Sequence, residues 1–167
     1  TEERFVVPTD AYQLILEGPG EYEVSDFSIR GIPAVRHLDA EGGPLLSTMY
    51  RIEVGGVSVA VLGNIASKLS EDQLEGIGVV DMVIIPVGGG GYTLDATSAA
   101  SLVRQIEPKV VVPVHYADAT LKYEVHQDTL ETFTKELGAP IEETAKYKVK
   151  SSASIPEVLT TVVVTRS

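Results

Sequence analysis

Two short runs, Met82–Val87 and Lys109–Val114, are almost continuously apolar and rich in valine and isoleucine. Such runs are typical of strands that are buried on both faces of a parallel sheet. Between them, apolar residues recur at helical spacing over Asp95–Ile106, and Pro108 follows the end of this segment. A strand, a helix and a second strand in this order predict a right-handed parallel crossover. The chain is therefore expected to belong to the α/β class.

The residues around this unit predict more strands and one more helix. Gly55-Gly56 separates two strand-like runs and predicts a hairpin. Gln127–Leu137 has the spacing of an amphipathic helix that ends at Gly138. Alternation or apolar runs predict strands at Glu21–Val24, Phe27–Ile32, Thr48–Val54, Val57–Leu62 and Leu159–Thr165. We expect one mixed sheet covered by helices.

The composition limits the class of protein. A chain of 167 residues with 44% hydrophobic residues is of a size and balance that suggest one folded domain. The absence of cysteine excludes thiolate metal ligands and is compatible with a cytoplasmic location. A net charge of −11 argues against general binding to nucleic acids or anionic membranes. No apolar run approaches the roughly 20 residues of a transmembrane helix.

Three of the predicted strands are followed by residues that could form a site. Val57–Leu62 leads to Gly63-Asn64, Met82–Val87 leads to Gly88–Gly91, and Lys109–Val114 leads to His115-Tyr116. Ligands of open α/β sheets bind beyond the carboxyl ends of the strands. The sequence therefore predicts a site that combines an amide, a glycine loop and an imidazole.

Each of these residues also has a structural interpretation. For His115, at the end of an apolar strand, a role in a site and a hydrogen-bonded structural role are equally compatible with the sequence. His37 taken alone is typical of a solvated loop, and His126 is expected at the surface. The Gly88–Gly91 loop precedes a helix and could hold an anion on its N–H groups. A tight turn from strand to helix explains the same glycines and is the favoured interpretation.

The stretch from Gly18 to Tyr116 resembles small proteins of the metallo-β-lactamase superfamily that are described as zinc-dependent hydrolases. The order of several segments carries the resemblance: Gly18–Glu23, the strand and loop Phe27–His37, the hairpin Thr48–Asn64, the run Asp81–Asp95 and the strand Pro108–Tyr116. The resemblance implies an αββα sandwich that lacks its N-terminal strands. It also implies that residues 1–167 form one N-terminally incomplete domain.

The resemblance implies a role for particular residues. His37 and His115 would occupy metal-ligand places, and Asn64 would occupy the place of a bridging aspartate. Gly88, Gly89, Gly90 and Tyr116 would contact substrate.

Two departures from the family pattern bear on metal binding. The family's His-x-His-x-Asp-His motif is absent, and Asn64 is a neutral amide where the family has an anionic bridge. Two imidazoles and an amide, with Asp39 as a possible substitute, fall short of a binuclear centre. We expect one weakly held zinc, manganese or iron ion, or no metal. Two explanations of the missing motif are compatible with each other: the chain begins after it, as the start at Thr1 suggests, and the protein is a degenerate member, as Asn64 suggests.

Two functions follow as hypotheses. The first is a hydrolase-like protein with an incomplete or degenerate metal site. If its site is completed, metal-activated water would attack an ester, lactone, amide or phosphodiester bond of a small-molecule substrate. The alternative is a non-catalytic ligand-binding or scaffold module on the same fold. An absent N-terminal sheet would also leave an apolar face uncovered, which predicts a homo-oligomer or a complementing N-terminal segment.

Overall fold

A computed structural model describes residues 15–37, 46–123 and 125–165 of the chain. Within these ranges, eight strands form one mixed sheet in the order β1-β2-β3-β4-β5-β6-β8-β7. Strands β1 to β4 form an antiparallel meander, and the pairs from β4 onward are parallel. The strands are β1 Gly20–Val24, β2 Phe27–Val35, β3 Leu46–Val54, β4 Val57–Val61, β5 Met82–Pro86, β6 Val110–Val114, β7 Ile141–Thr144 and β8 Thr160–Val164.

Three helices connect the parallel strands: α1 Glu71–Ile77, α2 Ala96–Ile106 and α3 Leu130–Leu137. The Asp95 side chain caps α2 by accepting a hydrogen bond from the Ser98 N–H at 2.7 Å. Gly138 ends α3 in the left-handed conformation. A capping aspartate thus marks the start of α2, and a left-handed glycine marks the end of α3. A 3₁₀ turn at Ser152–Ser154 precedes β8.

The helices all pack on one face of the sheet and bury its larger core. Strand residues on this face contact apolar residues of the three helices in a single cluster. Its fully buried members include Met49, Ala60, Val83, Ile85, Val111, Leu102, Val103 and Phe133. We define this as the helix face of the sheet.

The opposite face, here called the open face, is only partly covered. At one end, Tyr147, Val149 and Ile155 of the segment before β8 pack on Met82 and Val110. Strand register places further apolar side chains on the same face, and these are half-buried or exposed. They include Phe27, Ile29, Ile52, Val61, Ile84, Val112 and Val114. The described residues therefore form one helix layer and one sheet, two of the four layers of an αββα sandwich.

The α/β class, the Gly55-Gly56 hairpin and the parallel crossover through α2 are confirmed. The prediction that a helix begins at Gln127 was wrong, because α3 begins at Leu130 and the Gln127 side chain is buried elsewhere. Helix α1 and strand β7 had not been predicted. No helix in the part of the chain that the structure describes combines the length and apolar character needed to cross a membrane.

Candidate functional site

The carboxyl ends of β4, β5 and β6 lie side by side, as the sequence predicted. The Leu62 N–H, just after β4, donates to Ile84 O of β5 at 3.1 Å. The Val87 N–H, just after β5, donates to Val114 O of β6 at 3.0 Å. These bonds extend the parallel pairing to the points where Asn64, the glycine loop and His115 begin. We call this edge of the sheet the rim.

The end of β2 also reaches the rim. The Ala66 N–H donates to Val35 O at 2.8 Å, which ties the segment after Asn64 to the segment before His37. The Nδ1 of His37 lies 3.2 Å from Gly91 O, within hydrogen-bond distance. The half-buried His37 therefore lies against the glycine loop, although 54 residues separate the two in sequence.

The glycine loop is a tightly packed turn. Gly88 and Gly89 are buried, and Gly89 N–H donates to Leu94 O at 3.0 Å. A Cβ at Gly88 would overlap Gln127 Oε1 and His115 O, and one at Gly90 would overlap His126 O. Gly90 also has a φ of +67°, which side-chain-bearing residues rarely adopt. Close approach of residues 126–128 thus explains why glycine occupies these positions.

Within the described ranges, two side-chain oxygens at the rim are buried and have no hydrogen-bond partner. They are Asn64 Oδ1 and Gln127 Oε1. Gln127 is only 3% exposed, and its Oε1 is the atom that fills the space beside Gly88. A buried oxygen without a donor costs roughly 1–3 kcal/mol, so both atoms are acceptors that a bound water or ligand would satisfy.

His115 begins the loop after β6 in an unusual backbone conformation. Its φ is +52°, in the left-handed region that histidine seldom occupies. Its side chain is exposed at the rim, and its ring packs edge-on against Tyr123 with 6.2 Å between the ring centroids. The structure therefore presents the His115 imidazole to solvent at the same edge as His37 and Asn64.

Tyr116, the next residue, is half-buried beside this loop. Burial raises the pKa of its phenol above the ordinary value, and the negative charge of Asp118 raises it further. Its backbone oxygen accepts a 2.7 Å hydrogen bond from the Tyr123 hydroxyl. Tyr116 is therefore a neutral phenol at physiological pH.

The donors described at the rim do not by themselves make a catalytic metal centre. No group of three or more His, Asp or Glu side chains that could hold a metal ion is found in residues 15–37, 46–123 and 125–165. Asn64 adds only a neutral oxygen, a weak ligand for a divalent ion. A catalytic zinc needs three protein ligands and an open position, and the two imidazoles do not meet that need. Asp39 lies outside the described residues.

Comparison of the sequence with models of protein families shows to which family the chain belongs. Residues 6–115 match the model of the "Beta-lactamase superfamily domain" family. The chain belongs to this family. The match ends at His115 and includes His37, Asn64 and the glycine loop, so these residues of the rim lie within the matched part of the chain. The resemblance inferred from the sequence is thereby confirmed.

The chain is also similar in sequence to individual proteins. A "UPF0173 metal-dependent hydrolase" from Thermococcus onnurineus is 32% identical over 100 residues, covering 58% of this chain and 44% of that protein. One of the same name from Carboxydothermus hydrogenoformans is 26% identical over 101 residues, again covering 44% of its length. The chain thus spans less than half of the curated relatives it matches.

A solved structure from Thermotoga maritima, assigned to the metallo-beta-lactamase superfamily as a Zn-dependent hydrolase, superposes with a TM-score of 0.70 at 24% identity. The superposition covers 89% of this chain and 71% of that one. At this identity the likeness shows the fold alone.

Two residues of the rim had not been singled out from the sequence. Gln127 was counted as part of a helix, and Tyr123 was not considered. The signal for Gln127 was weak, because a buried glutamine and a helical surface glutamine look alike in sequence. Tyr123 stands between two charged residues, Lys122 and Glu124, and nothing local indicates its packing against His115.

Proposed function

We propose that this beta-lactamase superfamily domain carries a hydrolase-like rim whose metal site is incomplete in the residues described. One observation supports this most: His37, Asn64 and His115 lie at the rim, yet the described residues add no third His, Asp or Glu to the two imidazoles to form a metal-binding group. The two imidazoles would bind a divalent ion only weakly. A catalytic metal would need further donors.

The substitution at Asn64 supports the same proposal. Its buried Oδ1 has no hydrogen-bond partner among the described residues, so the interactions found there do not account for this amide. The amide carries no charge, so it contributes little to holding a cation. We propose that Asn64 is an inherited site position with reduced metal affinity.

The competing proposal is a non-catalytic module that uses the glycine loop to bind an anion. The packing of the loop argues against it. Gly88 O accepts from Asp128 N–H at 2.7 Å, and Gly89 N–H is already donated to Leu94 O. Residues 126–128 occupy the space next to Gly88 and Gly90. The Gly89 N–H is thus already used, and the close packing around Gly88 and Gly90 makes a packing role fit these glycines better.

For the whole protein, we propose metal-dependent hydrolysis of an ester, lactone, amide or phosphodiester bond, provided that other residues complete the ligand set. The relatives that bear the name metal-dependent hydrolase support this class of chemistry. The described residues support no metal-dependent step by themselves. We also propose that residues 1–167 belong to a single domain.

The metal content of the purified chain tests the proposal. We expect well below one zinc, manganese or iron ion per chain by mass spectrometry after dialysis, rising when the ion is added in excess. His115→Ala should abolish that rise, while His126→Ala, an exposed control, should leave it unchanged. One tightly held ion per chain would contradict the incomplete site. An equal, negligible uptake in all three proteins would favour the non-catalytic module.

We also propose that the open face is covered by a second copy when this chain is alone in solution. Half-buried and exposed apolar side chains spread over several adjacent strands of this face. Contiguous apolar surface of this kind marks an interface or causes association. A complementing segment would compete for the same face, and its addition would then convert the oligomer to a monomeric complex.

A further inference from the structure

The backbone of His115 adopts a conformation that needs support from its surroundings. A non-glycine residue at a φ of +52° is strained relative to the right-handed region, because its Cβ comes close to backbone atoms. Such residues persist where neighbouring contacts fix them, and they concentrate at functional sites. A neighbouring side chain is therefore expected to stabilise the backbone conformation of His115.

Tyr123 contacts the His115 loop in two ways. Its hydroxyl donates to Tyr116 O at 2.7 Å and accepts from Asp118 N–H at 3.2 Å. These bonds hold together the backbone that follows His115. The Tyr123 ring then meets the His115 ring edge-on, with an interplanar angle of 62°. One side chain therefore holds both the backbone and the ring of the imidazole that faces the rim.

The other side of the loop is fixed by the backbone. Ala117 N–H donates to Asp128 O at 2.9 Å, and His115 O lies against Gly88. These contacts involve the main chain and not the imidazole ring. Among the described residues, Tyr123 is the side chain whose ring packs on the His115 ring. Edge-to-face packing of this kind favours one ring orientation.

We propose that Tyr123 is the positioning residue of His115: its hydroxyl closes the loop of residues 116–118, and its ring sets the direction of the imidazole at the rim. The role of His115 as a donor rests on the proposed function above. The positioning itself does not, because it is a property of the metal-free protein. The two parts can therefore be tested separately.

Two substitutions separate the hydroxyl from the ring. Tyr123→Phe removes the two hydrogen bonds of the hydroxyl and keeps the aromatic ring. Tyr123→Leu removes the hydrogen bonds and the ring. Tyr147→Phe is the matched control, since Tyr147 is also half-buried but packs with Met82 and Val110 on the open face of the sheet. The melting temperature of each variant is recorded, so that a general loss of stability can be recognised.

Nuclear magnetic resonance of the metal-free protein gives the first result. The His115 ring signals, identified by their loss in His115→Asn, should carry a ring-current shift that Tyr123→Phe largely keeps and Tyr123→Leu abolishes. Hydrogen exchange at the Asp118 amide should quicken by about tenfold in both variants, because its acceptor is lost. Tyr147→Phe should change neither signal. Unchanged His115 signals and Asp118 exchange in both Tyr123 variants would overturn the proposal.

Titration with Zn²⁺ gives the second result. If His115 is a donor, its signals move with added zinc, and the apparent affinity should fall about tenfold in Tyr123→Leu while Tyr147→Phe keeps it. An equal apparent affinity for zinc in Tyr123→Leu and wild type would show that Tyr123 does not position His115 for metal binding. Absence of any zinc effect on His115 in wild type would contradict the proposed function, while the metal-free result would still decide the role of Tyr123.

Discussion

Asp128 donates its backbone N–H to the carbonyl of Gly88 at 2.7 Å, and this bond joins the segment before α3 to the glycine loop after β5. Around it, Gln127 and His126 fill the space that side chains at Gly88 and Gly90 would need. The loop and the segment therefore form one packed unit beside His115. Its integrity should depend on the size of the residues in the loop.

Gly90→Ala should destabilise the protein more than its backbone conformation alone explains. The new Cβ would overlap His126 O and come within 3.0 Å of Gln127 Nε2. Gly56→Ala is the control, because Gly56 has a similar φ of +75° but no atom of the described residues would lie within 4 Å of the added Cβ. We expect about 1 kcal/mol for Gly56→Ala and at least about 2 kcal/mol for Gly90→Ala, measured by urea unfolding. Equal losses would show that the loop is not closely packed.

Asn64→Asp should make stability depend on metal. A carboxylate at this buried position would lack a donor, so in the presence of a chelator the melting temperature should fall. Added Zn²⁺ or Mn²⁺ should restore it, because an ion that binds only the folded state stabilises that state. Wild type should respond little.

The control for this prediction is Asn64→Asp combined with His115→Ala, which should lose the restoration. A melting temperature of Asn64→Asp that ignores both chelator and metal would mean that Asn64 does not face a cation site.

Alkaline pH should weaken the fold partly through Tyr116. Burial raises the pKa of this phenol above 10.0, with the charge of Asp118 adding to the effect. The folded protein then holds the proton more tightly than the unfolded chain. The contribution to stability is complete below pH 10 and is lost as the pH rises through the folded pKa.

Urea unfolding between pH 8 and pH 12 checks this effect. The free energy of unfolding should decline above pH 10, and Tyr116→Phe should decline less steeply. Part of the decline should persist in that variant, because burial also raises the pKa values of Tyr50 and Tyr147. Identical profiles for wild type and Tyr116→Phe would refute the assignment.

A charge on the open face should weaken self-association. Val61 lies in register with Tyr50 and Ile84 on this face, so Val61→Lys places an ammonium group among apolar neighbours. Sedimentation equilibrium should show a shift from oligomer to monomer. Val79→Lys is the control, since Val79 is 89% exposed and lies outside the strands of the open face. A wild-type chain that is monomeric at all concentrations would refute the second-copy proposal.

The features predicted from sequence were those fixed by local pattern. The apolar runs predicted β5 and β6, Gly55-Gly56 predicted the hairpin, and the helical spacing over Asp95–Ile106 predicted α2. Strand β7, Ile141–Thr144, escaped prediction because three of its four residues are exposed and it lacks an apolar alternation. The short helix α1 escaped because it buries little apolar surface and depends on its Ser70 capping box.

For the candidate site, too, some features were predicted from the sequence and others depend on the tertiary structure. The sequence determined that polar residues follow three adjacent parallel strands, because strand direction alone brings the carboxyl ends to one edge. It therefore indicated Asn64, the glycine loop and His115 as neighbours. Tertiary structure decided the contacts of His37 with Gly91, of Gln127 with Gly88 and of Tyr123 with His115. These contacts join loops whose paths are set by packing rather than by local conformational preference. The pattern of residues along the sequence therefore does not predict which side chains of different loops come into contact.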